Sequence, residues 1–156
     1  MRHLALAWRR DMVGYCTAWC RELMPMPSIF EQPLHLGLGA TAVAQPVFTG
    51  DMDWYAAYGA RQDAADGAEG RLVTMFSFTE DWTSWEMHPA GSEVVICMTG
   101  TMTLHQERPD GSTRQVTLGP GEYAINDPGV WHTADVPGAA TALFITAGLG
   151  TQTRER

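Results

Sequence analysis

Turn residues interrupt this chain so often that no long regular element fits through its second half. The breaks are specific: Pro89-Ala90-Gly91, Thr99-Gly100, Pro109-Asp110-Gly111, Gly119-Pro120-Gly121, Asp127-Pro128-Gly129 and Pro137-Gly138. Proline presets one turn angle and glycine tolerates the positive φ that tight turns require. Between the breaks lie strand-like runs at residues 71–78, 83–88, 93–98, 101–107, 113–118, 122–125, 130–134 and 142–147. Short strands with turn signals at roughly 8 to 12 residue spacing predict a β-sandwich or barrel. The 16 glycines and 9 prolines exceed what a helical bundle tolerates, so the expected class is all-β.

The chain divides unevenly. Residues 1–25 carry Arg2, Arg9, Arg10 and Arg21 among Leu, Trp and Met, and predict a short amphipathic helix. Cys16 and Cys20 would share a face of it, and read as two unpaired thiols, since nothing is placed to complete a metal site. Met24 and Met26 are both plausible starts, which marks 1–25 as an N-terminal extension or start-site artefact. Residues 26–156 are expected to form a single domain with a core barrel at about 71–147. Before that core, 41–48 suggests a short strand, 51–69 an acidic solvated loop with five of the 18 carboxylates, and 62–70 an exposed loop.

Charge and composition exclude several functions. A net charge of −8 and a pI near 4.9 argue against a nucleic-acid partner, which needs a basic surface. No apolar run reaches the length of a membrane span, and residues 4–8 are too short for a signal-peptide core. Three cysteines, an odd and small number, fit a reducing compartment, with the cytoplasm as default.

Two segments concentrate the chemistry. In a strand, alternate residues share a face, so Ser84, Glu86 and His88 point one way and Trp85 and Met87 the other. A turn at 89–92 would fold Glu93 back beside His88. On the strand from Glu93 both faces are apolar, which predicts cover on both sides, and a glutamate there is costly unless it is paired or ligates something. Further on, Asp127-Pro128-Gly129-Val130 suits a type II turn and delivers His132 onto the strand that follows, between Val130 and Ala134 on the same face.

These segments resemble the paired motifs of the cupin superfamily. Glu86, His88, Glu93 and Gly100 fall at the spacings of the first motif, with Glu86 in place of its first histidine. Gly121, Asp127, Gly129 and His132 fall at those of the second, with Asp127 for the usual proline and Val136 where an asparagine would stand. The resemblance implies a cupin jelly-roll β-barrel of the RmlC-like kind holding one divalent metal ion (Fe, Mn, Ni or Zn) through His88, Glu93 and His132. Glu86 is either the fourth ligand or a catalytic acid, base or hydrogen-bond acceptor. It also implies a homodimer and a small-molecule ligand or substrate. The expected function is a small metalloenzyme acting on a polar metabolite, by dioxygenase, isomerase or decarboxylase chemistry. A non-catalytic binding or sensing module, or a metal-free barrel, are the alternatives. Outside this set, His3, His35 and His105 read as structural, and Cys97 as a small buried hydrophobe. Trp85 and Trp131 read as packing and Arg154 as exposed tail, while Trp82 is a candidate pocket wall and Tyr123 a candidate pocket donor.

Overall fold

The computed structural model describes residues 26–156; the expectations for 1–25, including Cys16 and Cys20, lie outside them. Among the described residues, eleven strands form two antiparallel sheets. They are β1 (Leu34–Gly37), β2 (Thr41–Ala44), β3 (Arg71–Phe78), β4 (Ser84–Met87), β5 (Glu93–Gly100), β6 (Met102–Glu107), β7 (Thr113–Leu118), β8 (Tyr123–Asn126), β9 (Trp131–Asp135), β10 (Ala140–Thr146) and β11 (Gln152–Glu155). One sheet runs β2-β1-β3-β10-β5-β8 and the other β11-β4-β9-β6-β7. Consecutive strands repeatedly cross between the sheets, which is the winding of a jelly roll. The all-β jelly-roll barrel expected for this chain is the fold found.

The core lies between the sheets. Val95, Cys97, Met102, Leu104, Ala134, Ala142 and Phe144 come from the inward parity of their strands and are buried. Each large side chain fully buried there contributes roughly 1.5–3 kcal/mol. Gly100, the last residue of β5, has φ +76°, and a Cβ on it would lie 1.9 Å from the Ala139 carbonyl oxygen. Only glycine lets β10 pass that close.

Three expectations need correction. Residues 51–69 are not a solvated loop: α1 (Met52–Asp66) occupies most of them. Asp51 caps it, its carboxylate accepting the Trp54 N–H at 2.8 Å. Trp54 and Tyr58, one turn apart, stack with ring centroids 5.8 Å apart and bury against Leu72 and Phe48. Only two side chains of the helix are buried, so its apolar stripe is too thin to show as a period. Second, the outer face of β5 is not fully covered. Val94 and Ile96 are half-buried, and Met98 is 44% exposed. Third, Arg154 is not free tail. Residues 152–155 pair with β4 as β11, and the Arg154 guanidinium lies over Trp85 and Trp131 and pairs with Glu107.

His35 also gains company. Its Nε2–H donates to Asp66 Oδ2 at 2.6 Å, and its Nδ1 accepts from the Tyr58 hydroxyl at 2.8 Å. This buried relay, with Asp66 also accepting the Leu38 N–H, fastens the end of α1 to β1. The helix is thereby held across one mouth of the barrel.

Candidate metal centre

Strand pairing brings the two motifs together. Glu86 on β4 lies directly across from His132 on β9. The Gly129 N–H donates to the His88 carbonyl at 3.1 Å, tying the turn before His132 to the end of β4. That turn closes with Val130 N–H donating to Asp127 O and Gly129 at φ +80°, as the type II expectation requires. Glu93 opens β5 between Asn126 on β8 and Thr146 on β10.

The four side chains meet at one end of the barrel interior. Glu86, His88 and His132 each offer a ligand atom, and these atoms lie within 4.8 Å of one another. Glu93 borders both imidazoles, with Oε1 3.4 Å from His88 Nε2 and Oε2 3.0 Å from His132 Nε2. His88, Glu93 and His132 are 4%, 3% and 0% exposed.

The hydrogen bonds around the cluster fix which atoms are free. The Thr151 hydroxyl donates its single hydrogen to the Gly148 carbonyl at 2.8 Å. Its 2.8 Å contact with His88 Nδ1 therefore has the imidazole as donor, leaving a lone pair on Nε2. His132 Nδ1 faces the Val130 carbonyl at 3.3 Å, and a carbonyl only accepts, so Nε2 is again bare in the neutral ring. Neither Nε2 has a hydrogen-bond partner; His132 Nε2 touches Glu93 off the line a ring N–H would take. Glu93 has its own donors, Thr146 Oγ1 to Oε1 at 2.8 Å and Asn126 Nδ2 to Oε2 at 3.0 Å. Gln106 holds Asn126 in turn at 2.6 Å. Lone pairs and carboxylates thus converge at the inner end of the barrel, an arrangement that a cation, whether protons or a metal, stabilises.

The charge states follow from this crowding. Burial works against charge on Glu93, yet the neighbouring His132 and His88 imidazoles outweigh it and hold its carboxyl far below the ordinary range. Burial lowers His132, but Glu93 and the Val130 carbonyl more than compensate, and the ring holds its proton to higher pH than usual. Glu86 goes the other way: burial and the Glu93 charge raise it, with His132 and His88 partly offsetting them. Two carboxylates in one site are thus driven apart, the arrangement that separates a permanent anion from a proton carrier.

A cavity of about 880 Å³ opens from the cluster to the surface under α1. Trp82 lines it, as expected, beside Glu86, His88 and Glu93. Tyr55 of α1 also reaches it; burial first, then Glu86 and Glu93, push its hydroxyl up to about 12. It is therefore a neutral donor at neutral pH. Other expected residues lie elsewhere. Tyr123 is 63% exposed on the outer face, so it is no pocket donor. Cys97 is sealed in the core, and His105 pairs with Asp135 at 2.7 Å. Thr151, Asn126, Thr146 and Tyr55 also stand at the site and were not expected there. Asn126, inside the second motif on the inward parity of its strand, carried a readable signal; the others did not.

No protein-family model matches this chain, and no curated protein matches it. Solved structures similar to parts of it do exist. One is a cupin-2 domain protein from Shewanella frigidimarina, 24% identical, covering 49% of this chain and 69% of that one, with a TM-score of 0.40. Another is hydroquinone 1,2-dioxygenase from a Sphingomonas species, 15% identical over 49% of this chain and 59% of its own, TM-score 0.43. An oxalate oxidase is 14% identical over 60% and 50%, TM-score 0.49. Of these, the Shewanella protein contains a cupin-2 domain. The likeness is one of fold; what those proteins act on belongs to them.

Proposed function

We propose that this chain binds one divalent metal through His88, His132 and the carboxylates of Glu86 and Glu93, and is a small metalloenzyme acting on a small molecule. The observation that carries the reading is the pair of buried, unpartnered Nε2 atoms aimed, with Glu86, at a common point. A nitrogen and carboxylate donor set suits Fe, Mn, Ni or Zn. When bound, such an ion supplies Lewis-acid polarisation of a ligating substrate oxygen.

The chain's own residues supply the rest. The Glu86 carboxyl, half-buried at the inner end of the cavity and raised above its ordinary value by burial and the Glu93 charge, is the group placed to take up or release a proton. The Tyr55 hydroxyl stands ready as a donor from the α1 side. The barrel wall and α1 restrict water at the reacting group. Beyond the site, we infer one domain over residues 26–156 and a homodimer, since Met98, Tyr123 and Ile125 leave an apolar strip on the outer sheet face. A buried free thiol at Cys97 is compatible with the cytoplasm.

The test is elemental analysis of protein purified without added metal or chelator, on wild type and His132→Ala. About one Fe, Mn, Ni or Zn per chain in the wild type, lost in the variant, is expected. No metal in the wild type, even after reconstitution, would sink the reading.

A further inference from the structure

The cavity is unevenly lined. Its inner wall is aromatic: Phe76, Phe78, Trp82 and Phe144 all line it. They pack as one cluster, with centroids 5.5 Å apart for Phe78–Trp82, 5.8 Å for Trp82–Phe144 and 6.1 Å for Phe76–Phe144. Its outer part carries the carboxylates of Asp63, Glu80 and Asp81, all exposed. Among the described residues no arginine lines it, and the chain contains no lysine. Its other polar lining groups include those of the ligand cluster at its inner end, the Tyr55 hydroxyl and neutral serine, threonine and tyrosine hydroxyls.

Resting on the metal reading above, we propose that the substrate is an aromatic molecule that ligates through a polar head group and whose body carries no negative charge, an aromatic amine fitting best. The polar part of the metabolite is then the end that meets Glu86, His88 and His132. Its ring lies along the Phe76–Phe78–Trp82 wall. A volume of about 880 Å³ holds such a molecule comfortably, within the roughly 300–1,000 Å³ of small-ligand sites. An anionic tail would face Asp63, Glu80 and Asp81 with no countercharge among the lining residues. A cationic one meets those carboxylates at the mouth and the negative faces of the rings within.

The test pairs two probes with the same catechol head and opposite tails, dopamine and 3,4-dihydroxyphenylacetate. Binding is measured by calorimetry to zinc-loaded and to chelator-treated protein, zinc being redox-inert. Dopamine is expected to bind about tenfold more tightly than the acid. Removing zinc should weaken both while preserving their order. The double variant Asp63→Asn, Glu80→Gln, altered only at exposed positions outside the cluster, should narrow the preference to about threefold or less. Equal or tighter binding of the acid overturns the proposal, as does a preference unchanged in the double variant. Zinc uptake with no binding of either catechol also overturns it, while leaving the metal reading intact. The expected preference with affinities indifferent to zinc also overturns the proposal, because the head group would then not be a ligand.

Discussion

At the residue scale, the proposed centre depends as much on the atoms behind the candidate ligands as on those ligands. His88 presents a bare Nε2 only because Thr151 accepts its Nδ1–H, and Thr151 does so because Gly148 takes its own hydrogen. Thr151→Val keeps the shape and removes that acceptor. Metal affinity should fall by about 10- to 100-fold, as when other partners of ligating histidines are removed. Competition with a chromogenic chelator would measure it, and unchanged affinity would show that the hydroxyl does not orient the ring. Thr151→Ser, which restores the hydroxyl, should recover most of the loss. His88, Glu93 and His132 were legible because imidazole and carboxylate at fixed offsets around Gly/Pro turns are rare by chance. Thr151 was not, since nothing in a lone threonine near the C-terminal end tells that β11 will return it to β4.

At the element scale, α1 is what the barrel alone would lack. It is capped by Asp51, anchored by the Trp54–Tyr58 stack, and fastened by the His35–Asp66 contact. The His35 imidazole first, then the Leu38 N–H, hold the Asp66 carboxyl below its usual value. A depressed folded value contributes stability above the unfolded one, about 3.9, and that contribution disappears as pH falls through the folded value. Hydrogen exchange across residues 52–66 should therefore stay slow from neutral pH down to about pH 4 and quicken below it. Asp66→Ala should exchange faster throughout and lose that step. Loosening of the wild-type helix already between about pH 7 and 5 would assign the transition to another group. The helix escaped sequence analysis because its apolar face is one aromatic pair, and its carboxylates, spread around the remaining surface, look like those of a loop.

At the scale of the whole molecule, the two sheets differ in what they leave uncovered. Along the six-stranded sheet, Val94, Ile96 and Met98 of β5 adjoin Tyr123 and Ile125 of β8, and the described residues leave Met98, Tyr123 and Ile125 exposed. Burial of that strip in the inferred homodimer predicts a sedimentation mass of two chains. Tyr123→Arg should shift it to one chain without changing metal content; a wild-type monomer across the micromolar range would retire the dimer. The sequence by itself determined the all-β class, the positions of the eight strands β3 to β10 within a residue or two, and the histidines and carboxylates brought near one another, but not β1 or β11. Turn chemistry and alternation are local, and a strand's parity assigns its faces without knowledge of its neighbours. Tertiary structure alone decided which carboxylate stays charged, which nitrogen is bare, and that a helix roofs a cavity with an aromatic wall. Those depend on burial and on partners from β8, β10, β11 and α1, far away in the chain, and no local pattern encodes them.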